Sequence, residues 1–199
     1  NDSLKQELRI LHMQEPVEFN CPAFLPDAVS YFKAYGFSDK GLFFRQLSGF
    51  MKKDPATKDL LKRKEELFRD YSIDLDKGFE EMIVNEYGFA GMQSGRTSYP
   101  FFFMELKSQS LAEQQFREWL TAWAHKNGKD TGELMLDYKI DNNNTITVYK
   151  LPVGGIPSMV FGRGFTSPGN DYFTFVNNYL VFANSFNSLK EFIYQVVLG

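Results

Sequence analysis

The sequence predicts an α+β fold, a mainly antiparallel sheet built from hairpins with helices packed on one face. Three observations point to it. Runs rich in β-formers are separated by short turn-forming stretches at residues 94–98, 141–144 and 177–178, so hairpins dominate and few parallel crossovers are possible. Amphipathic stretches with helical spacing stand apart from those strands, in a block over residues 38–83, after Ser110 and at the C-terminal end. Finally, the chain has 199 residues and is 43% hydrophobic, enough for one real core, since a chain of this size buries about 70% of its unfolded surface.

Taken in order, residues 1–26 read as an N-terminal helix and a Pro-rich linker: Leu4, Leu8 and Leu11 have helical spacing, and Pro16, Pro22 and Pro26 keep the next stretch extended. Residues 27–199 read as a single α+β domain. Residues 28–35 form a strand ended by Gly36. Ser38 or Asp39 caps a helix with Phe43, Leu47 and Phe50 on one face, and Asp54-Pro55 starts the next. That second helix turns Leu60, Leu61, Leu67, Phe68 and Tyr71 inward, with the mixed charges of residues 58–69 as a solvated face. A third, over residues 74–83, buries Phe79, Met82 and Ile83. Strands at 84–93 and 99–106 come next, and Ser110 with Glu113 forms a capping box. The helix it opens carries Ala112, Phe116, Trp119, Leu120 and Trp123 as an apolar stripe and ends before Gly128. Strands are expected at 134–140, 145–151, 159–165, 172–176 and 179–183, with Asn177-Asn178 as a type I′ turn. The final helix buries Leu189, Phe192, Ile193, Val196 and Val197.

Composition excludes several functions. A net charge of −3, from 22 basic and 25 acidic residues, argues against a nucleic-acid binder of the usual basic kind. The 21 Phe and 10 Tyr exclude a disordered chain. One cysteine, Cys21, excludes an internal disulfide framework and, with no local His, reads as a small buried or linker residue. His12, His125 and Cys21 are too far apart for a zinc spacing. Counted as a calcium loop from Asp74, positions six and twelve hold Phe79 and Asn85, which fail the Gly and Glu requirement. The stretch Asp141-Asn142-Asn143-Asn144 also lacks the Gly and is a turn. Gly162-Arg163-Gly164 lacks the third Gly of a phosphate cradle, although Arg163 beside flexible backbone suits an anion contact. Gly91-Met92-Gln93-Ser94-Gly95 has one residue too many for a nucleophile elbow. Carboxylate pairs can be drawn from Glu105, Asp137 or Asp171, as from any chain with 25 acids. No catalytic, cofactor-binding or metal-ligating residue is therefore assigned.

The aromatics are the unusual feature. Tyr99-Pro100-Phe101-Phe102-Phe103 puts Phe on both faces of one strand, which predicts a strand buried on both sides; the alternative is an apolar interface patch. Trp119 and Trp123 lie on an inward helix face and read as core rather than as a sugar platform.

Leu25-Pro26-Asp27-Ala28-Val29 entering a strand resembles the opening of the bacterial family known as domain of unknown function 3352. The closing Asn178-Tyr179-Leu180-Val181-Phe182-Ala183-Asn184-Ser185, leading into Leu189-Lys190-Glu191-Phe192-Ile193, is similar to that family's strand and helix ending. Between them, residues 101–107 and then the helix over 111–123 resemble its recurring unit. The likeness covers most of the chain after residue 24; the helix and Pro-rich stretch before Leu25 depart from it. It implies an envelope-associated or exported protein, often with an N-terminal membrane anchor, with no established activity and no catalytic residue to carry over. The chain opens on Asn1 and its last helix runs to Gly199, so a fragment of a longer protein is expected, with a preceding segment as potential anchor. The expected function is that of a non-catalytic domain of a bacterial cell-envelope protein, acting by protein or ligand contacts on an exposed sheet face, without a cofactor or nucleic acid. The first alternative is a small-molecule domain with an apolar or glycan ligand in a Phe- and Tyr-lined groove. A carboxylate-dependent hydrolase ranks last. An extracytoplasmic or envelope location is expected, with the cytoplasm as alternative.

Overall fold

Tight turns and long apolar strands leave this chain one economical arrangement, a single antiparallel sheet with its connections folded over both faces. The computed structural model describes residues 9–94, 97–141, 144–162 and 170–198, the side chains of Ser94 and Leu198 excepted. Its seven strands are β1 (Val29–Gly36), β2 (Ile83–Ser94), β3 (Thr97–Leu106), β4 (Met135–Lys139), β5 (Thr145–Lys150), β6 (Tyr172–Val176) and β7 (Tyr179–Ala183). They are ordered β1-β2-β3-β7-β6-β5-β4, every neighbour antiparallel. Two meanders, β1 to β3 and β4 to β7, thus meet along the β3–β7 ladder.

The helices are α1 (Cys21–Phe24), α2 (Lys40–Lys53), α3 (Lys58–Tyr71), α4 (Leu75–Met82), α5 (Gln109–Lys126), α6 (Ile156–Phe161) and α7 (Phe186–Leu198). Asp39 caps α2 by accepting from the Leu42 N–H at 2.8 Å, and Asp74 caps α4 through the Lys77 N–H at 3.1 Å. Asp54-Pro55 opens a 3₁₀ turn, Pro55–Thr57, that leads into α3. The cap of α5 is Ser108, not Ser110: its hydroxyl accepts from the Leu111 N–H, so the helix begins a half-turn before the capping box. Asn177 and Asn178 have φ of +49° and +65°, as a type I′ turn requires. The β2–β3 connection is shorter than the five residues expected, because Ser94 already pairs with Thr97. Gly95, Arg96, Asn142 and Asn143 lie outside the described residues, as does nearly all of the expected first helix, of which Arg9–Leu11 is a 3₁₀ turn.

The expected strand at 159–165 is overturned. Residues 156–161 form α6, entered from Gly155 at φ +79° with Pro157 in the first turn, while 163–165 lie outside the described residues. All six residues of α6 are buried, five of them apolar, and a helix buried on every side has no amphipathic signature to separate it from a central strand. Phe161 stacks on Tyr87 of β2 at 4.3 Å, with Phe102 of β3 5.4 Å away.

Helices α2 to α6 cover one face of the sheet, over Tyr87, Phe102, Met104, Tyr149, Phe173, Leu180 and Phe182. The opposite face also has a core. Phe101, Phe103, Val148, Val181 and Ala183 lie beneath Leu189, Phe192 and Ile193 of α7 and beneath Cys21 and Phe24 of α1. Phe101, Phe102 and Phe103 are therefore all buried, which accounts for the unbroken apolar run. Two inward assignments fail: Phe68 is 60% exposed and Val197 37%. The charge run on α3 is not wholly solvated either. Arg63 donates to the Gly154 carbonyl at 2.6 Å, and Lys64 pairs with Asp76 of α4 at 2.8 Å.

Candidate functional site

Glu86 of β2 and Glu105 of β3 fall within the register shift between the Ile83–Leu106 and Tyr87–Met104 pairs, and Glu105 pairs with Tyr179 of β7. Antiparallel pairing thus lines up two carboxyls and a phenol across three strands. Glu86 is fully buried. The Tyr179 hydroxyl donates to its Oε1 at 2.5 Å and the Asn20 N–H to its Oε2 at 2.9 Å. The Asn20 side-chain amide donates to Glu105 Oε1 at 2.9 Å, while Glu105 Oε2 is buried without a partner. Burial, the dominant effect, raises the Glu86 carboxyl above the usual range; Tyr179 and the Asn20 N–H oppose the rise and Glu105 adds to it. The Cys21 thiol is pushed up to about 12, by burial first and by Glu86 second. Burial and the bond to Glu86 likewise raise Tyr179.

A strap of residues 14–24 crosses this cluster and bonds to both carboxyls through Asn20. Gln14 Oε1 accepts from the N–H groups of Ser38 at 2.9 Å and Asp39 at 2.8 Å. Val17 lies so close over Gly36 that a Cβ there would stand 2.3 Å from Val17 Cγ2, which is why this position has no side chain. Phe24 stacks on Tyr179 at 3.8 Å. Glu86 and Cys21 are buried while Glu105 is partly exposed, and a thiol held protonated, as that of Cys21 is, is a poor nucleophile. The carboxyl pair is a latch that pins the strap to the sheet.

The other acids singled out from the sequence do not converge with Glu105. Asp137 lies on β4 and accepts from the Thr147 hydroxyl at 3.0 Å, and the Asp171 backbone carbonyl accepts from the Leu151 N–H at 2.7 Å. Glu105 has Glu86 as its neighbour instead, a residue that no sequence motif marks. His12 and His125 are exposed on separate elements, and among the described residues no group of three or more His, Cys, Asp or Glu is placed to hold a metal. Arg163 lies outside the described residues. Trp119 and Trp123 are half-buried against the core, as expected. A second polar group, in which Tyr149 donates to Glu113 and Arg117 pairs with Glu113 at 2.9 Å, braces α5 against β5. No helix of the described residues is long and apolar enough to cross a membrane.

The β1 strand is one open edge of the sheet. The Phe37 N–H donates to the Asn85 carbonyl at 2.9 Å, and the β1–β2 register runs unbroken from Tyr31 to Gly36. Odd-numbered β1 residues therefore bond to β2, and the backbone groups of Phe32 and Ala34 point away from the sheet. Tyr31 and Phe32 are 47% and 52% exposed, on opposite faces of the strand. The only charge on this edge is Lys33, whose Nζ stands 4.8 Å over the Tyr35 ring. The opposite edge, β4, is five residues long and carries exposed Asp137 and Lys139, as an edge protected against pairing does.

Compared with known proteins, the chain matches no family model, no curated protein and no solved structure.

Proposed function

We propose that this chain is a non-catalytic interaction domain that takes an extended segment of a partner protein onto β1. The observation that carries this reading is the unpaired β1 edge, with outward N–H and C=O groups on Phe32 and Ala34 beside the exposed rings of Tyr31 and Phe32. An added strand gains about 0.5–1.5 kcal/mol for each new hydrogen bond. Cross-strand aromatic pairs add about 0.2–1 kcal/mol each, so a handful of residues suffices for recognition by strand addition. The setting we propose is the bacterial cell envelope, on the resemblance of residues 25–29 and 178–193 alone. The burial of Glu86 and of the Cys21 thiol supports the non-catalytic part of the reading.

Selection from a displayed library of random peptides tests it. Extended, aromatic-bearing peptides are expected, and their binding should slow hydrogen exchange at the Phe32 and Ala34 amides. Ala34→Pro removes only an outward donor, since proline is tolerated on an edge strand, so it should abolish binding at unchanged thermal stability. Peptides that protect other amides, or that bind Ala34→Pro as well as the parent, overturn the proposal. A concentration-dependent dimer abolished by Ala34→Pro would give the edge to a second copy instead.

A further inference from the structure

Between the 3₁₀ turn Arg9–Leu11 and the C-terminal half of α2 lies a cleft of about 610 Å³, within the usual size of small-ligand sites. Gly49 opens it. Nothing lies within 4 Å of where a Gly49 side chain would begin, and its φ is an ordinary helical one. Neither a close neighbour nor the backbone requires glycine here, yet glycine inside a helix costs about 1 kcal/mol relative to alanine. What it provides is space. Ile10 and Phe50 supply apolar walls.

The polar groups around that space are not self-satisfied. Arg9 and Lys53 are exposed at the cleft, and neither pairs with an acid among the described residues. Asp54, the one acid lining it among the described residues, is engaged as a cap, accepting from the Ala56 N–H at 2.9 Å. The carbonyl end of α2 disfavours an anion, but two cations against one engaged acid leave the rim positive among the described residues. Gln46 donates its amide to the His12 carbonyl at 3.2 Å, which leaves its Oε1 buried with no donor. A buried acceptor without a partner costs about 1–3 kcal/mol, a cost a ligand hydrogen would remove.

We propose that this cleft binds a small amphipathic anion: a carboxylate held by Arg9 and Lys53, an apolar body along Ile10 and Phe50, and a hydroxyl or amide hydrogen donated to Gln46 Oε1. The site is independent of the β1 edge, so either assignment stands if the other falls.

Thermal shift and calorimetric titration of the whole chain with β-hydroxydecanoate, decanoate and decanol test it. The expected order of affinity is β-hydroxydecanoate, then decanoate, then decanol, because each step removes one of the polar contacts. Gly49→Leu fills the cleft and improves the helix, so the free protein should melt no lower while the ligand-induced shift disappears. The double variant Arg9→Gln, Lys53→Gln alters exposed side chains only and should weaken β-hydroxydecanoate about tenfold or more, the loss expected when charged hydrogen bonds are removed, leaving decanol unchanged. Equal affinities for the three probes, no saturable shift with β-hydroxydecanoate, or a double variant that binds it as tightly as the parent overturns the proposal. So does an undiminished shift in Gly49→Leu.

Discussion

Glu86 shows how one residue's environment sets a measurable property of the fold. Its buried carboxyl lies beside a second one and is raised above the ordinary range, so between the unfolded and folded pKa values the native state binds more protons than the unfolded chain. The stabilisation from its protonated form is fully present below the unfolded pKa and is lost as pH rises through the folded one. Melting temperature of the parent should therefore fall as pH climbs out of the carboxylate range, and Glu86→Gln, which stays neutral, should flatten that slope. A parallel slope in the two proteins would remove the buried proton from the account. Glu86→Ala differs in kind. It leaves the Tyr179 hydroxyl and the Asn20 N–H unsatisfied, and should cost about 1–3 kcal/mol at every pH, for each buried group stranded.

At the scale of the element, the strap over residues 14–24 acts as a hinged cover whose state can be read at Cys21. While the strap is seated, Cys21 is buried and its thiol is pushed up to about 12, so alkylation at neutral pH must wait for opening. Asn20→Ala removes the side-chain bond to Glu105 but keeps the backbone bond to Glu86. It should speed labelling several-fold by raising the open population, with labelling of the unfolded protein unchanged. An unchanged rate would mean that the Asn20 side chain adds nothing to what its own N–H bond to Glu86, the Gln14 bonds and the Phe24 stack already hold. Neither the strap nor its latch was legible in sequence. Prolines at 16, 22 and 26 mark a stretch that is neither long helix nor central strand, and a free linker and a packed strap share that composition. Local signals did better where they carry their own geometry: a cap at Asp39 (one of the two residues the sequence offers), Asn177-Asn178 and the α5 stripe stand where the sequence puts them. They failed at α6, whose residues are buried on all sides, and at Ser108, which a stronger-looking box two residues later disguised.

The whole molecule depends on the β3–β7 ladder, the part sequence could least reveal. Hairpin signals identify each meander from within, but nothing local says which strands of the two will meet. For the same reason, the meeting of Glu86 and Glu105 needs a register that spans a bulge. Phe102 of β3 faces Phe182 of β7 in that ladder, its ring 6.0 Å from Phe182 and 5.4 Å from Phe161, so it is packed by both meanders and by α6. Truncating such a residue removes dispersion contacts and leaves a cavity, at about 3–5 kcal/mol, a large share of a total stability of about 5–15 kcal/mol. The same core runs without a break from Phe43 and Tyr87 to Tyr149 and Phe173, so the loss should be felt on both sides of the seam. Phe102→Ala is thus expected to lower the denaturation midpoint in a single transition and to speed hydrogen exchange in β2 and β6 by the same factor. Faster exchange in β2 alone, with β6 keeping its parent protection, would make the two meanders separate cooperative units that happen to share an edge.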